Sequence, residues 1–170
     1  EIHAPLTYSE KKFIPFLSVS QTAKEVGITI TSASKAFNLA GLKCAMIITE
    51  NESLRDRINV MPLAVAFRAS LFGATAATAA FQHGLSWLDS VMKLLDENRK
   101  LLKNLIDTKL PGVGYRIPDF GYLGWIDLTA LNLGDDPCER LLERGRVALV
   151  KGSAYGPQHQ SFARFNFGTN

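Results

Sequence analysis

The chain has 170 residues, 46% of them apolar and 21% charged, which is material for one compact domain or two small ones. A net charge of +3, spread over scattered basic residues, argues against nucleic acid as a partner. Membrane insertion is disfavoured too: the most apolar stretch, 63–81, is rich in Ala and Thr and contains Arg68, whereas a span wants about 20 mainly apolar residues, so it reads as a buried helix.

Residues 28–31 are a short β-branched run and predict a strand. A Ser-Ala-Ser-Lys turn follows at 32–35, and 44–49 is a second apolar run of strand length. Asn51 is the expected N-cap of a helix through Leu54 and Ile58 that ends near Pro62. Residues 64–83 read as Ala-rich helix with Gly84 as its stop. Ser86 is expected to cap the clearest helix of the chain. There Trp87, Val91, Leu94, Leu95, Leu101, Leu102, Leu105 and Ile106 recur at three- and four-residue steps, opposite Asp89, Lys93, Asp96, Glu97, Lys100 and Lys103. Pro111-Gly112 ends it. Residues 115–117 and 122–128 read as paired strands across a turn at 118–121. Residues 137–144 form a short helix capped by Asp135 or Asp136, with Pro137 in its first turn. Two further strands are predicted at 147–150 and 162–167. Strands with helices, then a long helix, then a small α+β unit imply two lobes meeting near 84–90, the first of them α/β.

Cys44 and Cys138 have neither metal-ligand spacing nor a disulfide framework, which suits a reducing cytosol and no metal site. The chain begins at Glu1 without Met and reads as a piece of something longer.

The densest chemical cluster is Ser32-Ala33-Ser34-Lys35-Ala36-Phe37-Asn38. Taken alone, Lys35 reads as a solvated loop residue. Its setting, directly after a strand and between hydroxyls and apolar residues, is unlike that of a surface lysine. Desolvation or neighbouring cations lower a lysine's pKa and make its amine nucleophilic toward an aldehyde. The two serines and Lys43 could hold a phosphate beside it. Residues 32–35 also fit S-x-x-K, the acylating serine and lysine of penicillin-binding proteins. That mechanism wants S-D-N and K-T-G elsewhere, and neither tripeptide occurs.

Ser-x-Ser-Lys-x-Phe-Asn-Leu-x-Gly-Leu at 32–42 resembles the cofactor-lysine signature of class I/II aminotransferases, the fold type I pyridoxal phosphate (PLP) enzymes. Three further stretches resemble the same family in the expected order. Glu1-Ile2-His3 is similar to its D-E-I-H segment, 122–128 to the first strand pair of its small domain, and 162–168 to the strand bearing its substrate-clamping arginine. Glu-Ile-His together with the lysine signature is most similar to the MalY/PatB branch of cystathionine β-lyases, the C–S lyases.

The resemblance implies the C-terminal part of an α/β PLP-dependent transferase fold. Residues 1–85 would be the end of the large PLP-binding domain, and 86–170 a small C-terminal domain truncated before its last helix. It implies Lys35 as Schiff-base lysine and base for the substrate Cα proton, Ser32 at the cofactor phosphate, and His3 near the ring's phenolic oxygen. Arg164 would pair with the substrate α-carboxylate in bidentate fashion. Lys43 stands where many relatives have a phosphate-touching arginine, keeping the charge but losing the fork. Lys151-Gly152 stands where Pro-Gly is common, before the glycine- and aromatic-containing loop at Tyr155-Gly156, a departure that could reshape the substrate entrance. The Asp that pairs with the pyridine nitrogen would precede Glu1. The phosphate-cradling turn, the ring-stacking aromatic and the N-terminal dimer contacts would lie further upstream.

The implied activity is C–S β-lysis of a small amino-acid substrate, with aminotransfer by the same lysine as the alternative. A further alternative is a catalytically incomplete domain. The implied setting is a cytoplasmic homodimer of the full-length protein. The 170 residues alone are expected to bind PLP poorly.

Overall fold

The computed structural model describes residues 1–169 and divides into two compact units, Glu1–Met92 and Lys93–Asn170. The first contains α1 (Gln21–Val26), β1 (Thr29–Thr31), β2 (Met46–Ile48), α2 (Glu52–Asn59), α3 (Leu63–Ala66) and α4 (Leu71–His83). α5 (Leu85–Lys109) begins there and runs into the second unit, followed by β3 (Gly114–Tyr115), β4 (Leu123–Asp127), α6 (Pro137–Gly145), β5 (Val150–Lys151) and β6 (Phe162–Asn166).

In the first unit β1 and β2 pair antiparallel, with Ile30 opposite Ile47. All three residues of β2 are exposed, and Ile30 of β1 is 57% exposed, so this ribbon presents β-branched side chains to solvent on both faces. Helix starts follow side-chain capping. Asn51 accepts from Leu54 N at 2.9 Å, as expected, and Ser20 caps α1 through Ala23 N. The Ala-rich stretch is two helices, not one: Ser70 accepts from Gly73 N and restarts the chain as α4. It is not buried either, for Leu63, Phe67, Leu71 and Phe72 are each at least 70% exposed. Gly84 closes α4 but barely interrupts the chain, because α5 starts at the next residue. Ser86 therefore lies inside the first turn and is not the cap.

In the second unit a four-stranded antiparallel sheet has the order β3-β4-β6-β5. Gly114 pairs with Asp127, Trp125 with Arg164, and Lys151 with Ala163. The predicted strand at 147–150 is only Val150–Lys151. Period-2 alternation sends Ile126 and Ala163 to one face, where they meet Ile106, Val113, Tyr115 and Cys138 in the core. The same alternation sends Trp125, Phe162 and Arg164 to the other. Asp136 caps α6 by accepting from Glu139 N at 3.0 Å.

The buried line of α5 is not the one its leucines suggest. Leu88, Leu95, Arg99 and Ile106 are buried, while Trp87, Leu101 and Leu105 are exposed. Arg99 occupies a core position because it is fully engaged. Its Nε donates to Asp96 Oδ1 at 2.7 Å and its Nη1 to the Pro118 carbonyl at 2.8 Å. Among the described residues no helix is long and apolar enough to cross a membrane.

Ile106 sits at the centre of the second unit's core. Ile106→Ala is expected to cost about 2–5 kcal/mol of stability through lost burial and the cavity left behind, read as a lower urea midpoint.

Candidate functional site

The turn bearing Lys35 is built by burial on both sides of it. Ala33 and Ala36 are each 1% exposed, and Phe37 lies edge-on to Phe81 at 5.7 Å and stacked near Trp87 at 6.0 Å. Phe37 N donates to Ala33 O and Leu39 N to Ser34 O, which winds the segment into a tight turn. Lys35, between these anchors, is exposed. Lys35 has no ion pair among the described residues. A lysine with its backbone fixed and its amine unpaired is displayed, not tethered.

Ser32 closes the turn onto the next strand. Its hydroxyl donates to Cys44 O at 2.5 Å and accepts from Ser34 N at 3.0 Å. It also lies 2.7 Å from Ser34 Oγ. Ser32 has one hydrogen, and Cys44 takes it, so Ser34 is the donor of that serine–serine bond. Ser32 is 3% exposed and Ser34 is half-buried. Of the two, Ser34 has the hydroxyl hydrogen that can turn to an incoming acceptor. The family resemblance implies the phosphate role for Ser32, whereas the hydrogen-bond pattern favours Ser34. The Cys44 carbonyl, twelve residues on, leaves no mark in a local pattern.

Ser32, Ser34 and Lys43 line a cleft of about 690 Å³, together with Ile2, Cys44 and Arg68. Lys43 is exposed and takes a left-handed conformation, φ +53, while its carbonyl accepts from Ser70 N. Hydroxyl donors and two cations at one cleft suit a phosphate. Arg68 is an addition to the residues singled out from sequence. His3 is half-buried, and its pKa is lowered first by burial and then by the charge of Lys35. The structure thus brings His3 and Lys35 within electrostatic reach of each other, and Ser32 and Lys43 to one cleft.

Arg164 belongs to the second unit. It is half-buried on β6, opposite Trp125 on β4 and Val150 on β5. Its guanidinium carbon lies 5.4 Å from the centroid of the Tyr155 ring. Burial raises the pKa of Tyr122, and the charge of Arg164 opposes that shift. No carboxylate pairs with Arg164 among the described residues. A half-buried arginine without a resident acid could pair with an external anion. Tyr155 was not singled out as a site residue from sequence. The only local signal is an aromatic placed between two glycines.

A model of the family "Aminotransferase class I and II" matches residues 1–170. The chain belongs to that family. Among curated relatives, a candidate cystathionine beta-lyase of Mycobacterium tuberculosis is 40% identical over 187 residues, covering 100% of this chain and 45% of that protein. The cystathionine beta-lyase PatB of Bacillus subtilis is 34% identical, covering 99% of this chain and 44% of its own. In three dimensions, a candidate PLP-dependent beta-cystathionase of Corynebacterium diphtheriae superposes with a TM-score of 0.94 at 36% identity, over 100% of this chain and 45% of that one. The chain therefore spans less than half the length of these relatives. The architecture is part of the PLP-dependent transferase fold.

Burial and Lys35 disfavour the imidazolium, so His3 titrates below 6.5 in the folded protein. Its neutral form contributes stability above the unfolded value, and that contribution is lost as pH falls through the folded pKa. Lys35→Ala is expected to move the His3 titration upward, toward 6.5, as followed by NMR of the ring protons.

Proposed function

We propose that the protein of which these residues form a part is a PLP-dependent enzyme acting on amino acids, and specifically a C–S β-lyase. The observation that carries this reading is Lys35, an unpaired amine held exposed by a turn whose flanking residues are buried. Names of relatives at 34–40% identity across the chain support lysis over transfer. In this reading residues 1–85 are the end of the large PLP-binding domain and 86–170 belong to the small domain. The full-length protein is a cytoplasmic homodimer.

The residues fit the cofactor on the chemistry of the donor set. Ser34, Lys43 and Arg68 at one cleft would hold the phosphate, with Ser32, the residue expected there, bracing the turn through Cys44 instead, and His3 would lie near the ring oxygen. Pyridoxal phosphate, when bound, supplies the electron sink that lets a Cα–H bond break. The chain's own groups do the rest. Lys35 holds the cofactor and then serves as the base that takes the Cα proton. Arg164 binds the substrate carboxylate through its two parallel N–H donors. With a thiolate on Cβ as leaving group, the net reaction consumes one water and releases thiol, pyruvate and ammonia. The second reading is aminotransfer, which uses the same residues and is supported by the family to which the chain belongs.

The test is to supply the full-length protein with cystathionine and follow thiol and pyruvate release against keto-acid-dependent amino transfer. Thiol and pyruvate are expected in equal amounts; amino transfer alone would overturn the lyase assignment. Lys35→Ala is expected to lower kcat by about 10²–10⁴-fold, the usual contribution of a positioned base. Borohydride reduction and peptide mapping should find the cofactor on Lys35 and on no other lysine. The 170 residues alone are expected to show no cofactor absorbance band and no turnover.

A further inference from the structure

The face of the second unit's sheet opposite its core carries a built arrangement of aromatic rings and one cation. Trp125 stacks on Phe162 at 5.6 Å and 16°, and meets Tyr155 edge-on at 5.5 Å and 86°. Tyr155 in turn faces Arg164. We propose that Tyr155 is the positioning residue for Arg164, holding the guanidinium flat so that its fork is turned toward a carboxylate. The inference rests on the reading of Arg164 as the substrate-carboxylate residue.

An arginine laid on a ring keeps its N–H donors in the guanidinium plane, free for a bidentate partner. Holding it there before the substrate arrives removes an ordering cost from binding. Tyr155 can do this because its own position is fixed by backbone. A Cβ at Gly152 would lie 2.2 Å from His159 O and 2.6 Å from Phe162 O, so the chain enters the turn in contact with the segment that follows it. Gly156 leaves the turn at φ +139, a conformation that side chains rarely adopt. Lys151, just before Gly152, is ion-paired to Asp136, the cap of α6, with Glu139 3.9 Å away. The lysine that stands where proline is common thus ties this loop to a helix.

The test uses the full-length holoenzyme titrated spectrophotometrically with L-alanine and with ethylamine, which differ only in the carboxylate. Tyr155→Leu is expected to weaken L-alanine binding about fivefold, in line with an ordinary cation–aromatic contact, and to leave ethylamine binding unchanged. Tyr155→Phe, which keeps the ring, should restore the wild-type discrimination. Should Tyr155→Leu fail to fold, Tyr155→Met takes its place. Unchanged L-alanine binding in the Leu or Met variant, or equal weakening of both ligands, overturns the proposal. Arg164→Ala separates the layers. Loss of its preference for L-alanine upholds the carboxylate reading, so an unchanged Tyr155→Leu then overturns positioning alone. Retention of that preference overturns the carboxylate reading itself.

Discussion

The hydrogen bond from Ser32 to the Cys44 carbonyl holds the first unit's chemistry in place. It joins the residue after β1 to Cys44, two residues before β2, so the turn carrying Lys35 is closed at its base and not left as a free loop. Burial of Ala33, Ala36 and Phe37 then fixes the backbone on both sides of the lysine. Ser34, Lys43 and the cleft they line with Ser32 depend on the same closure. Removing the Ser32 hydroxyl would leave the carbonyl of half-buried Cys44 without this donor. One serine is thus committed to structure, and its neighbour is left with the adaptable hydrogen.

The second unit divides its labour between the two faces of one sheet. Ile126 and Ala163 are given to the core with Ile106, and their neighbours Trp125, Phe162 and Arg164 to the opposite face. Because the side-chain period of a strand is two, a slip of one residue would exchange these sets. The fully packed Ala163 therefore fixes the register that carries Arg164. The core and the Arg164 face are coupled through pleat geometry.

Local signals were legible and long-range ones were not. Asn51 was readable as a cap, and Asp136 as one of two candidates beside Asp135, because a capping side chain bonds only two or three residues ahead. The stop of α5 at Pro111-Gly112 was legible, but the cap expected at Ser86 was not, since Leu85 already begins the helix. The leucine count on α5 pointed to the wrong line of burial. Arg99 displaced it because Asp96 and the Pro118 carbonyl satisfy a charge that composition marks as external. The stretch 63–81 was read as buried from its apolarity, but burial depends on a covering surface, and Phe67 and Phe72 have none in this unit. Of the site, Lys35, Ser32, His3, Lys43 and Arg164 could be singled out by resemblance. Tyr155 could not, because its approach to Arg164 arises from two glycines and an ion pair fixing a loop between strands.

The β1–β2 ribbon has a consequence for how the chain behaves in solution. Two short strands are marginal by themselves, and Ile30, Met46, Ile47 and Ile48 leave both faces without a charge to repel a neighbour. The 170-residue chain kept by itself is therefore a colloidally sticky object. Its tendency to associate should rise with its concentration and with salts that strengthen apolar burial.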